Sequence, residues 1–180
     1  MTTIHTSSPD ARQRASQAYE HALPDLSDYL RALDHIKRVS EPCADLIGKA
    51  AKALTDVKIR DSVVVIMGYA PATISLDDLR DGPTEAHADA AMSRIVSPHT
   101  AVRPGTSVDQ HRALLALIDS HVPGHAHAAT LLAMIAWWQD DLESAVSHLQ
   151  CAFNADPGYS LGHLIAATIT IQPRPGWTMR

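Results

Sequence analysis

From Asp10 onward, apolar residues along this 180-residue chain recur at three- and four-residue spacings, the spacing that lines one face of an α-helix. Residues 1–9 carry no such pattern and read as a disordered leader, without the apolar stretch of a signal peptide. Ala11, Ala15, Ala18 and Ala22 mark a first helix, which Pro24 interrupts. Asp25 is placed to cap a second, with Leu26, Tyr29, Leu30, Leu33 and Ile36 on one face. Ser40-Glu41-Pro42 reads as the start of a third, over 41–54, which would bury Cys43, Leu46, Ile47, Ala50 and Leu54.

Residues 56–69 can be read two ways. Val63-Val64-Val65-Ile66 is a β-branched run that would pass for a buried strand, yet Ile59, Val63, Ile66 and Met67 also fit one helical stripe. No second strand-like run exists to complete a ladder, which favours the helix. Asp81-Gly82-Pro83 then opens a helix running to about Ile95, and residues 97–106 form a Pro/Gly loop, the best candidate for a mobile segment. Ser107-Val108-Asp109-Gln110 resembles a capping box ahead of Leu114, Leu117, Ile118 and His121.

Residues 125–138 are apolar nearly all round, the signature of a central buried helix. A tight turn at Asp140-Asp141 follows. Leu142, Ala145, Val146, Leu149, Ala152 and Phe153 then form a regular stripe that ends at Asp156-Pro157-Gly158. A last helix spans 159–170, and two prolines stop the tail 171–180 from continuing it. The pattern predicts an all-α fold: one domain of about eight short helices over 10–170, with a tail that packs on the domain or leaves it.

Composition agrees with that class. The chain is 46% hydrophobic and 19% charged with net charge −5, which excludes a disordered protein. Eight aromatics against 28 alanines suit closely packed helices better than a β-sandwich. Cys43 and Cys151 form neither a disulfide framework nor a CxxC metal site and read as reduced, mostly buried thiols of a cytosolic protein. No stretch is long and apolar enough for a transmembrane helix.

Charge is unevenly placed. Residues 61–180 hold six Lys/Arg against twelve Asp/Glu, and all four lysines (Lys37, Lys49, Lys52, Lys58) lie in the first third. Nucleic-acid binding would therefore have to use that N-terminal third. His111, His121, His125, His127, His148 and His163 sit in the acidic region, where their protonation would make solubility depend on pH.

Leu132, Ala133, Ala136, Ala145, Leu149, Ala152 and Pro157 have the spacing of a single tetratricopeptide-like hairpin at about 126–170, with Ala129 and Ala136 where that repeat has Trp and Tyr. Three ordered pieces carry a further resemblance. They are Ile59-Arg60-Asp61 within 54–67, the helices of 128–169 closing on Ala155-Asp156-Pro157-Gly158-Tyr159-Ser160-Leu161, and the tail from Pro173 to Trp177. Together they resemble the domain of unknown function 4192 family over about residues 49–180. That family is typical of actinobacteria and often accompanies mobile elements. Longer members begin with a β-containing half, which residues 1–48 do not match. The resemblance implies fold and lineage, and no chemistry.

Candidate chemistry is sparse. His121, His125 and His127 cluster in HVPGHAH; a helix would hold His125 and His127 about 200° apart, whereas an extended loop could bring them together. Asp140-Asp141 reads as a solvated turn and Arg60-Asp61 as an ion pair or cap. Trp137, Trp138, Phe153, Tyr159 and Trp177 hold most of the aromatic surface. One of the two adjacent tryptophans must face away from whatever the other packs on, so it is either covered by the final helix and tail or marks a partner surface. No nucleophile elbow, P-loop, dinucleotide fingerprint or HExxH motif occurs.

The expectation is a cytoplasmic, noncatalytic interaction or scaffold module without a cofactor. It would bind a protein partner or a second copy through those five aromatic residues. The alternatives are a small metal-dependent hydrolase using His121, His125 and His127, and a DNA-associated regulator acting through the N-terminal lysines.

Overall fold

The computed structural model describes residues 8–39, 43–69, 75, 77–79 and 81–179. Among them are nine α-helices, against about eight expected, and no strand. They are α1 (Pro9–His21), α2 (Leu26–Arg38), α3 (Ala44–Ala53), α4 (Val57–Gly68), α5 (Glu85–Val96), α6 (Thr106–His121), α7 (Ala126–Trp138), α8 (Leu142–Ala155) and α9 (Ser160–Ile171). Short 3-10 turns occupy Asp77–Leu79 and Gly176–Met179. No described helix is long and apolar enough to cross a membrane.

α7 is the axis of the molecule. Every one of its residues except His127 is buried, and α6, α8 and α9 pack around it. α3 packs on α1 and α2, and α6 joins that group to α7 while α4 pairs with α5. The Val63-Val64-Val65 run is helical. Asp56 caps α4 through the Lys58 and Ile59 amides, and all three valines are buried. A helix satisfies its own backbone, whereas a strand here would have had no partner among the described residues.

Small residues set the spacing. A Cβ on Gly48 of α3 would collide with the Ala15 carbonyl oxygen of α1, and one on Gly68 of α4 would lie 2.9 Å from the Ala91 Cβ of α5. These helices meet nearly backbone to backbone. That is why an alanine-rich chain with few aromatics can fill its core.

Several local expectations are corrected. α1 begins at Pro9, one residue inside the expected leader, with Ser8 as its cap. α6 begins at Thr106 with Gly105 as a cap that offers no side chain, so Ser107 lies inside the first turn and makes no capping box. Cys43 and Cys151 are exposed, not buried. Cys43 sits at the cap position of α3, outside its packed face, and Cys151 points away from the buried Leu149 and Ala152 of α8. The start assigned to Ser40-Glu41-Pro42 lies outside the described residues, as do residues 1–7 of the leader.

The loop 97–105 and the tail 172–179 are pinned together at the C-terminal end of α7. Val102 N–H donates to the Arg94 carbonyl, the Gln172 side chain donates to Val96 O, and Gly176 lies flat on Ser97 and Pro98 where a Cβ would not fit. At the α7–α8 turn Asp140 takes a left-handed φ of 66°, and its carboxylate holds Arg174 of the tail at 2.7 Å. Asp accepts that backbone region more readily than most residues. Asp141 caps α8 through the Ser144 amide.

Two imidazoles are built into the core. His111 of α6 meets the Tyr29 hydroxyl of α2 at 2.9 Å, and both residues are buried. His125 caps α7: its Nδ1 accepts from Ala128 N–H at 3.1 Å, so its Nε2 carries the proton donated to the Ala51 carbonyl of α3 at 2.9 Å. Burial, reinforced by Lys37 near His111 and by His127 near His125, lowers each from the ordinary 6.5 to about 4.

Two outcomes follow from this packing. Gly48→Ala gains about 1 kcal/mol of helix propensity but must displace backbone of α1, an overpacking cost of about 1–3 kcal/mol. We expect a net loss of stability, read as a lower urea midpoint; an unchanged or raised midpoint would show that α1 yields easily. For the histidines, the folded values lie below the unfolded ones, so the unfolded chain binds more protons between about pH 4 and 6.5. Their stabilisation is complete above pH 6.5 and is lost as pH falls, by about 2 kcal/mol each at pH 5. The urea midpoint should drop between pH 7.5 and pH 5, and His125→Asn, which can still cap a helix, should drop less. Equal pH dependence in the two proteins would refute the assignment to His125.

Candidate functional site

The five aromatics do not converge on one open surface. Trp137 and Trp138 are 2% and 1% exposed. Their indole N–H groups donate to Gln172 O at 2.9 Å and Val102 O at 2.8 Å, so tail and loop take up both polar edges. Trp177, half-buried, lies over the same corner and donates to Trp138 O at 2.8 Å. Of the two fates open to the tryptophans, the structure shows covering by the tail, and both rings are buried. Phe153 is half-buried against Gly162 and the His163 ring. Only Tyr159 joins a group of polar residues.

The three histidines separate as well. His121, at the end of α6, turns its Nδ1 to Leu117 O at 2.8 Å and stands apart. His125 and His127 do meet, with ring centres 5.3 Å apart, because His125 is the cap of α7 and not within its helical turn. Both nitrogens of His125 are committed to the backbone, which leaves no lone pair for a metal. Among the described residues no group of three or more His, Cys, Asp or Glu side chains is arranged to hold a metal ion.

His127 leads to a connected polar group of Tyr159, Arg60 and Asp61. Its ring packs edge-on to Tyr159, with centres 4.7 Å apart. The Tyr159 hydroxyl accepts from Arg60 Nη1 at 3.0 Å, and Arg60 Nε and Nη2 both donate to Asp61 Oδ1, at 3.0 and 2.7 Å. Arg60 is only 8% exposed. Burial works against its charge, but the bonds to Asp61 and Tyr159 outweigh burial and raise its pKa above the ordinary value. Burial likewise raises Tyr159, against the pull of Arg60, and lowers His127, aided by the Arg60 charge. The result is a fixed cation between α4, α7 and the turn before α9, neutralised by a half-exposed Asp61.

This ion pair forms the polar wall of a cavity of about 240 Å³. The remaining walls are Val64 and Val65 of α4, Ala88 and Met92 of α5, Met134 of α7, and Leu161, Leu164 and Ile165 of α9. Leu164 is 57% exposed at its rim. The site is a cleft lined mainly by apolar side chains with one convergent polar pair, the usual make-up of a binding pocket. Arg60 and Asp61 were visible in the sequence as an ion pair, but their cleft was not. Leu161 and Leu164 read as ordinary positions of a last helix, and a signal existed only in the excess of apolar residues on α9 over what one buried face needs.

Comparison with known proteins adds lineage. No curated protein and no solved structure matches the chain. A family model described as "Domain of unknown function (DUF4192)" matches residues 2–175. The match takes in residues 2–48, beyond the span of about 49–180 that carries the sequence resemblance, and so covers all nine described helices. With nearly all of its length covered by that match, the chain belongs to the DUF4192 family.

Proposed function

We propose that this chain is a noncatalytic binding module whose recognition surface is the cleft between α4, α5 and α9. The observation that carries the reading is the cleft itself: an apolar pocket of about 240 Å³ with Leu164 exposed at its rim and Asp61 at its polar wall. Asp61 spends Oδ1 on Arg60, and its Oδ2 makes no hydrogen bond among the described residues. The side chain is 43% exposed, so that oxygen is open to a donor. Met92 and Met134 give the walls the adaptability common at peptide-binding surfaces.

The matching ligand is a peptide segment that inserts a large apolar side chain and places a lysine or arginine beside Asp61. The twofold excess of acidic over basic residues in 61–180 favours the same basic partner. In this reading α7 and α8 form a tetratricopeptide-like hairpin that supports α9 from behind. The module works in the cytoplasm, where its exposed Cys43 and Cys151 stay reduced.

Panning of a random-peptide phage library against the immobilised protein tests the reading. Enriched peptides should share an apolar anchor flanked by Lys or Arg. Leu164→Glu, at an exposed position, should weaken their binding tenfold or more, since it places a charge against the anchor. Asp61→Asn should weaken peptides with the basic flank and spare those without it. Enrichment of acidic peptides, or affinities that neither substitution alters, would sink the proposal.

A further inference from the structure

A second cavity, of about 350 Å³, opens at the C-terminal ends of α4 and α5, between the loop 97–105 and the start of α6. Its charge runs against the region around it. Residues 61–180 are acidic overall, yet among the described residues no acidic side chain lines this cavity and two arginines do, Arg94 and Arg103. Four arginines of that region are described. Arg174 is paired with Asp140, and Arg112 is bound to Gln139. The remaining two have no carboxylate partner among the described residues, and both face the same cavity.

Arg94 is held in place without being neutralised. Its Nε donates to the Gly68 carbonyl at 2.8 Å, which fixes the guanidinium plane, and its terminal nitrogens make no hydrogen bond among the described residues. Arg103 lies over the Trp177 ring, 5.6 Å from its centre, and makes no hydrogen bond among the described residues. Two guanidiniums thus line one cavity with no carboxylate partner among the described residues, an arrangement suited to holding an anion. Thr106 and Ser107, at the start of α6 where the Gly105 cap has no side chain, bring two hydroxyls to the same wall.

The volume is roughly twelve times the share of one water molecule in the liquid, more than a bare oxyanion fills. Met67, Val102 and Trp138 supply the apolar part of the lining. We propose that this cavity binds a small organic phosphate, with the phosphate on Arg94 and Arg103 and an apolar or aromatic body against Tyr69 and Val102, over a floor of Met67 and Trp138. The site is independent of the peptide cleft.

Isothermal titration at low salt with phenyl phosphate, inorganic phosphate and phenol as probes tests it. Phenyl phosphate should bind with a Kd of about 1 mM or below, more weakly as sodium chloride is added. It should also change the tryptophan fluorescence, because Arg103 touches Trp177. Inorganic phosphate should bind more weakly and phenol not measurably. Arg103→Gln and Arg94→Gln should each weaken phenyl phosphate about tenfold or more, and Leu164→Glu should leave it unchanged.

Urea midpoints establish that the variants fold; should Arg94→Gln fail to, Arg103→Gln decides, since Arg103 holds no backbone group. Absence of binding, or binding that the arginine substitution leaves intact, overturns the site. An equal affinity for inorganic phosphate overturns the organic body.

Discussion

A helix that is apolar on every side cannot exist at a surface, and α7 is such a helix. Enclosing it fixes the places of α6, α8 and α9 and leaves two polar problems, one at each end. At the N-terminal end His125 solves the first. It accepts an α7 amide on one nitrogen and donates to the α3 carbonyl of Ala51 with the other, so one neutral ring ties the two halves of the bundle together. At the C-terminal end the indole N–H groups of Trp137 and Trp138 require acceptors, and the backbone of Gln172 and Val102 supplies them. The loop and the tail are therefore parts of the core's closure and not appendages to it.

The helix pattern was readable because it rests on local periodicity. α2, α5, α7, α8 and α9 lie within a residue or two of where spacing and breakers put them, and α4 is a helix for the reason its sequence offered, the lack of any strand to pair with. What the sequence hid was everything decided by distant contacts. The aromatic cluster of 137–177 signalled packing density, and only the path of the tail decides that Trp137 and Trp138 lie inside. The three histidines share seven residues of sequence, yet the end of α6 holds one of them apart, while the cap geometry of α7 brings the other two together. The cysteines were assigned by the usual burial of free thiols, a tendency of the residue type that yielded here to their positions on a cap and on an outward helix face.

Arg60 shows how a local motif acquires meaning from the fold. As Arg60-Asp61 it is an adjacent ion pair of small energetic weight. With Tyr159 brought in from ninety-nine residues away, the same arginine becomes a buried, fully positioned charge that joins α4 to the start of α9 and gives an otherwise apolar cleft its one polar wall. The two cavities divide the charges of the region between them. The first has an open carboxylate oxygen at its wall and the second two arginines without a carboxylate partner among the described residues.

The contact of Gly48 with the backbone of Ala15 carries a consequence for how this sequence can drift. Ala15 is the only fully enclosed residue of α1, and the position of that helix is set by main chain against main chain. No smaller residue than glycine is available at 48, so that site has no neutral neighbour in mutational space. The outward positions of α1 contribute nothing to its placement and can change almost at will. Two relatives could thus differ at nearly every surface position of their first helix and still superimpose there, held to the same geometry by one side chain that is absent.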